Sequence, residues 1–313
     1  MNQQSLKDQL QSILAYIKDR NDVIYLDYPL HLNVGDLLIY HGTENFFLEH
    51  GIKVKARRSH ARYSIADIKN YVGKNTTILM HGGGNFGDLY PEYQKFREDV
   101  AKSFKNNAVV ILPQTAYFSS EEEENKSAEI FRQHKNLVIF SRDTRSLEVF
   151  RKFTDKSYLM PDMAHSLWGK LPRAEKNKGT LFLIRKDKEI NQLQDKLVSK
   201  TTSTVDWEDI LKSEDFRIRM LCRKLDGAGS VYKITSLKRL SNWIWFNHTK
   251  KMVDRYALFF TSHEKVVTSR MHGHIFSCLL EVPNGVIDNA YGKNSGYYNQ
   301  WTNKISNAEL LAE

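Results

Sequence analysis

The sequence predicts an α/β protein built from two open, mainly parallel sheets with helices on both faces. Three observations carry this expectation. Short β-branched runs alternate with helical periodicities along most of the chain. At 313 residues and 41% hydrophobic content, the chain is longer than one core ordinarily encloses. A polar stretch at 169–179, with Pro172, three lysines and Arg173, breaks the alternation near the middle. The expected domains are therefore residues 1–170 and 178–313.

Taken in order, Leu6, Leu10, Ile13, Leu14 and Ile17 recur at helical spacing, so an amphipathic helix opens the chain. It lacks the continuous apolar core of a signal peptide. Residues 23–26 (Val-Ile-Tyr-Leu) form a strand, Asn33-Val34-Gly35-Asp36 follows it, and 37–49 is an apolar helix that Gly51 stops. A strand at 52–54, a helix at 65–71 and a buried strand at 76–80 come next. That strand runs into His81-Gly82-Gly83-Gly84-Asn85-Phe86-Gly87-Asp88. The alternation continues with strand 108–112, an acidic helix at 121–133, strand 137–140 and helix 144–153. The first domain closes with Tyr158-Leu159-Met160 and Pro161-Asp162. Strand 180–184 opens the second domain, whose middle, 207–260, is helical and aromatic; strand 266–267 and a last strand at 285–288 complete it.

Composition narrows the function. Only Cys222 and Cys278 are present, which argues against a disulfide scaffold or zinc site and for a reducing, cytoplasmic setting. No run of about 18 apolar residues occurs, so no membrane span is expected. The net charge of +9 is spread through helices without a zinc-finger, RNP-type or helix-turn-helix pattern, and nucleic acid is not the expected partner. Attraction to anionic lipid is a secondary expectation.

The chemistry concentrates where strands turn into helices, the place open α/β sheets put their ligands. After Val266 and Val267, the turn Ser269-Arg270-Met271-His272 sets a permanent cation and a switchable imidazole beside a helix N-terminus. An anion held by Arg270, with His272 exchanging a proton, is one reading; the other is a pair that only ties the turn together. Arg142, in Ser141-Arg142-Asp143-Thr144-Arg145-Ser146, offers a second arginine at a strand end, with Asp143 as N-cap, and Arg185 a third. Lys293, in the irregular loop after the last strand, is a further candidate ligand for a phosphate or carboxylate; the other reading is an exposed loop lysine with no role. Gly82, Gly84 and Gly87 fit G-x-G-x-x-G, but no acidic residue ends the strand at 108–112, so NAD is not expected; a glycine loop open to a ligand is. Metal binding is poorly supported, because His272 and His274 point to different sides of a helix and Asp36, Asp88 and Asp162 lie on separate turns.

Together, Asn33-x-Gly35-Asp36, Gly82-Gly83-Gly84-Asn85, Ser141-Arg142-Asp143-x-x-Ser146, Pro161-Asp162-x-Ala164, Ser269-Arg270-Met271-His272-Gly273-His274 and the loop 288–298 resemble the polysaccharide pyruvyl transferases. The resemblance runs from about Asn33 to Tyr298, with Met271 where leucine is usual. It implies two Rossmann-like domains facing a cleft, as in GT-B glycosyltransferases. The implied reaction moves the enolpyruvyl unit of phosphoenolpyruvate onto two hydroxyls of a sugar of a cell-surface polysaccharide (exopolysaccharide or capsule) or its precursor, as a cyclic ketal. By the resemblance His272 is the acid/base and Arg142, Arg270 and Lys293 hold the donor, with no metal or redox cofactor; Asp36, Gly84, Asn85 and Arg185 are further candidates for lining the substrates. The competing reading is a sugar-nucleotide glycosyltransferase of the same build; a third is a sugar-binding protein without chemistry.

The acceptor, free, nucleotide-linked or lipid-linked, is expected to meet the stretch where the resemblance fades. There Trp243 and Trp245 are acceptor candidates, their indole faces suited to stacking on a pyranose; the other reading is that Trp243 and Phe246, at i and i+3, only face the core, and an exposed Trp245 separates the two. Lys238, Arg239, Lys250 and Lys251 flank them and suit a lipid pyrophosphate at the inner face of a membrane.

Overall fold

A computed structural model describes residues 2–61, 63–186, 194, 196, 198, 202–290 and 292–311. It is a mixed α/β structure whose described strand pairs are parallel. Packing divides the chain into two compact units. The N-terminal unit holds Asp8–Leu30 and Gly42–Ser166; the C-terminal unit holds Met1–Lys7, His31–His41 and Leu167–Glu313.

In the N-terminal unit the strands are β1 (Val23–Leu26), β2 (Val54–Arg58), β3 (Thr77–Met80), β4 (Gly83–Gly87), β5 (Ala108–Tyr117), β6 (Leu137–Ser141) and β7 (Ser157–Leu159). They form one sheet in the order β2-β1-β3-β5-β6-β7, with β4 also on β5. The β-branched and aliphatic runs of β1 and β3 are buried throughout, because helices cover both faces of a parallel sheet. Ile24, Ile78, Val109 and Ile139 line one such core together with Phe86, Phe96, Phe131 and Phe153.

Two sequence expectations change here. The glycine stretch is strand β4 and not an open loop: the ten-residue β5 pairs first with β3 and then with β4. The cause is Gly87, at φ +115°, where a Cβ would sit 1.8 Å from the Tyr117 carbonyl oxygen, so only glycine lets the strands close. The strand expected to stop at Leu112 continues through Pro113, where its pairing with β6 shifts register.

The C-terminal unit carries β8 (Lys178–Leu183), β9 (His263–Thr268), β10 (Asn284–Ile287) and β11 (Ala308–Leu311) in spatial order β11-β10-β9-β8. The sequence reading ended at β10 and missed β11. Between β8 and β9 stands a helical hairpin, α7 (Ser213–Val231) and α8 (Thr235–Thr261). Helix α9 (Met271–Leu279) follows β9, and α10 (Lys293–Tyr297) follows β10. Helix α2 (Val34–Glu49) starts three residues earlier than expected, because Asn33 caps it, its Oδ1 accepting from the Gly35 and Asp36 amides. Helices α1 (Gln3–Gln9), α3 (Ile65–Lys69), α5 (Glu121–Arg132) and α6 (Thr144–Arg151) fall near their expected places, whereas α4 (Pro91–Ser103), between β4 and β5, was not foreseen.

The hairpin reverses one expectation. Trp245 is fully buried, whereas Trp243 is 65% exposed and Phe246 36%. The buried stripe of α8 runs Ser241, Trp245, Thr249, Met252, Val253, Tyr256. Small Ser241 and Thr249, one turn to either side, make room for the indole, and their hydroxyls are satisfied by the Cys222 and Trp245 carbonyls. Because those two positions read as polar, the stripe was hidden in the sequence.

Candidate functional site

The turn between β9 and α9 is fixed residue by residue. The Arg270 amide donates to Thr268 Oγ1 at 3.0 Å. Ser269 Oγ donates to Gln194 Oε1 and accepts from the Arg185 amide, tying the carboxyl ends of β8 and β9 together. Gly273 is required, because a Cβ there would meet Thr268 Oγ1 at 2.6 Å and Leu183 Cδ2 at 2.7 Å. Met271 is buried.

Arg270 is braced by a residue the sequence reading did not single out. Its Nε donates to Asp206 Oδ1 at 2.9 Å and its Nη2 to Asp206 Oδ2 at 2.5 Å, a two-point ion pair with fixed orientation. Asp206 is itself held: it accepts from the Trp207 and Lys186 amides and makes a capping box with Asp209. The Asp-x-x-Asp spacing signals a cap; its reach to Arg270, 64 residues away, leaves no mark in the sequence.

The two histidines of the motif part company. His274 is fully buried between Asn284 and Thr302, and burial lowers its pKa to about 4, so it is a neutral core residue. His272 is only partly buried and lies against the first turn of α2, where a Cβ on Gly35 would stand 2.5 Å from its Nδ1. Two motifs more than 230 residues apart thus meet in one contact inside the C-terminal unit. Asp36 follows directly, with a carboxylate oxygen 3.7 Å from His31 Nε2.

At the neighbouring strand end, Asp288 Oδ1 accepts from the Asn289, Asn294 and Ser295 amides, and Gly292 takes the left-handed conformation at φ +71°. Buried Asn294 donates to the Ser269 and Ile287 carbonyls, which locks β9 to β10. Lys293 therefore starts a short ordered helix, its amide bound to Asn289 Oδ1. His272, Arg270, Arg185, Lys293 and Asp36 all belong to this unit, at or beside the carboxyl ends of its strands or the start of α2.

Arg142, Gly84 and Asn85 belong to the N-terminal unit. Arg142 is buried and donates to Asp162 Oδ2 at 2.6 Å and to Thr115 Oγ1 at 3.0 Å. Asp143 caps α6 through the Ser146 amide, and the Ser146 hydroxyl in turn accepts from the Ala116 amide. The Ser-Arg-Asp and Pro-Asp motifs are thus one interlocked corner. Asn85 accepts from Arg97, whose other partner is buried Asp27. Burial lowers the Arg97 pKa while Asp27 opposes the shift.

Residues 33–291 match the sequence profile described as Polysaccharide pyruvyl transferase. The chain belongs to this family. A relative from Bacillus subtilis (strain 168), "Putative pyruvyl transferase EpsO", is 38% identical over 98% of this chain and 94% of its own length. "Pyruvyl transferase 1" of Schizosaccharomyces pombe is 25% identical over 91% of this chain and 71% of its own. An uncharacterised Klebsiella pneumoniae protein of known crystal structure superposes with a TM-score of 0.60 at 19% identity, covering 98% of this chain and 99% of that one, which is a likeness of fold. Membership of the pyruvyl transferase family carries the class of activity, a transferase acting on polysaccharide.

Proposed function

We propose that the protein transfers the enolpyruvyl unit of phosphoenolpyruvate to a paired set of sugar hydroxyls, forming a cyclic ketal on an exopolysaccharide or its precursor. The contact of His272 with Gly35, beside an Arg270 braced by Asp206, carries this reading. A preset cation and an imidazole held in one place are what a small anionic enol requires.

In the proposed reaction His272, as imidazolium, gives its proton to C3 of the donor, and C2 becomes an oxocarbenium centre. A sugar hydroxyl adds to C2 and releases its proton; the C2–O bond to phosphate breaks, and the second hydroxyl closes the ketal. One hydroxyl proton thus balances the new methyl group and the other leaves with phosphate. Arg270, Arg185 and Lys293 are assigned to the donor's phosphate and carboxylate, where negative charge builds on departure. Asp36 is assigned to the acceptor hydroxyls. Arg142, whose side chain is fully buried where that of Arg270 is partly exposed, is assigned to holding its own corner of the N-terminal unit. The cytoplasmic setting expected from two cysteines, both free and buried, belongs to the same proposal.

Thermal unfolding with candidate donors tests the assignment. Phosphoenolpyruvate at about 100 times its dissociation constant should stabilise the protein by about 2.7 kcal/mol, and the gain should vanish in Arg270→Ala. Stabilisation by a sugar nucleotide, with none from phosphoenolpyruvate, would replace this reading with glycosyl transfer.

A further inference from the structure

The tip of the α7–α8 hairpin exposes what a core normally hides. Val231 is 70% exposed and Tyr232 72%, and Ile234 is exposed beside them. Leu240 and Trp243 continue the same exposure along the first turns of α8, within about 12 Å of the tip at 1.5 Å per residue. Basic side chains interleave: Arg223, Lys224, Lys233 and Arg239 are all exposed. Between Ser213 and Lys251 there are nine Lys and Arg against three Asp and Glu, a surplus of six in a chain whose whole net charge is +9. Asp215, Asp226 and Lys238 are buried, which leaves eight basic residues against one acid outside the core of the hairpin.

The tip is also built, not frayed. The Ile234 amide donates to the Gly229 carbonyl and the Tyr232 amide to the Ala228 carbonyl, closing α7 with a Schellman-type turn. Lys233 occupies its left-handed position, φ +56°, where glycine is the usual and less strained residue. Gly229 lets the two helices approach, since a Cβ there would lie 2.8 Å from Lys238 Cγ. The hairpin therefore holds a lysine in a strained conformation at its apex and leaves exposed the Ile234 side chain that such a turn ordinarily packs away.

We propose that this tip docks on the surface of an anionic phospholipid bilayer, with Tyr232, Ile234, Leu240 and Trp243 entering the interface and the basic residues meeting lipid phosphates. Aromatic and aliphatic side chains ringed by lysine and arginine suit that boundary, and no described helix is long and apolar enough to cross a membrane. A second copy of the chain fits poorly, because a two-fold contact would set two like-charged patches against each other. Nucleic acid would use the cations but would leave Val231, Ile234 and Leu240 without a role. The inference rests on the hairpin alone and stands whether or not the donor assignment does.

Cosedimentation of the full chain with phosphatidylcholine vesicles, with and without phosphatidylglycerol, tests it. Each basic residue near an anionic surface is worth about fivefold in partitioning, so binding should be at least about tenfold stronger to the anionic vesicles and weaken with salt. The pair Lys233→Glu and Arg239→Glu should lower it by about tenfold or more, as should Tyr232→Ser with Trp243→Ser, at unchanged melting temperature. The pair Lys69→Glu and Lys135→Glu, exposed on the other unit, makes the same change of net charge and should leave most binding intact. Equal binding to both vesicle types, or equal loss in this control, would overturn the proposal. So would a dimer that Tyr232→Ser with Trp243→Ser dissolves, or vesicle-independent binding to duplex DNA.

Discussion

A methyl group at Gly35 would stand 2.5 Å from His272 Nδ1, a separation that side chains do not tolerate. Overpacking of about 1 to 3 kcal/mol outweighs alanine's helix advantage of up to about 1 kcal/mol, so Gly35→Ala should lower the melting temperature only modestly. Turnover should fall at least about tenfold, because displacing a catalytic group by about an ångström is worth up to 10²-fold. Loss of stability with unchanged turnover would make the contact mere packing. His272→Ala should lower kcat by about 10² to 10⁴ at unchanged stability, and retention of a tenth of the activity would exclude it as the acid. At this scale the sequence told much: the Arg-Met-His-Gly-His turn was readable because strand and helix periodicities bracket it. What it withheld were long-range partners. Asp206 under Arg270, and Gly35 under His272, are far apart in the chain, and nothing local marks them as neighbours.

Helix α8 shows the same limit for an element. Its existence was legible, its orientation was not, since hydroxyl residues occupy two positions of its buried stripe. Trp245→Ala should cost about 3 to 5 kcal/mol of stability by opening a cavity, whereas Trp243→Ala should stay within about 0.5 kcal/mol. Denaturant unfolding of the two variants separates them, and similar values for both would refute the burial pattern. The glycine stretch went astray for a related reason. Gly82 to Gly87 satisfies a ligand-loop spacing, yet Gly87 serves the close pairing of β4 with β5, a need that only the partner strand reveals. Strand β11 was missed because Ala308–Leu311 is short and barely hydrophobic at its start.

For the molecule as a whole, two buried histidines set an acid limit, both in the C-terminal unit. Burial lowers the pKa of His41 to about 3 and of His274 to about 4. The unfolded chain takes up protons below its ordinary histidine pKa of about 6.5 while the folded chain does not, so stability falls as pH drops from there toward 4. Each histidine contributes a slope averaging at most about 1 kcal/mol per pH unit between pH 7 and 5, and over that interval the decline lies above the ordinary carboxylate range. Urea unfolding at pH 7 and pH 5 should show the decline, and His274→Gln should flatten it; equal stability at both would contradict the buried, neutral assignment. The alternating pattern that announced a parallel α/β build is a property of the whole chain, and it needed no long-range information.

The central claim, that His272 delivers a proton to C3 of phosphoenolpyruvate during ketal formation, is tested most directly by turnover in heavy water with galactose, glucose and mannose glycosides as acceptors. The account predicts phosphate release together with a pyruvate ketal whose methyl group carries one deuterium, and no such product from His272→Ala. Phosphate release with an undeuterated methyl group, or an equally labelled ketal from His272→Ala, would contradict it.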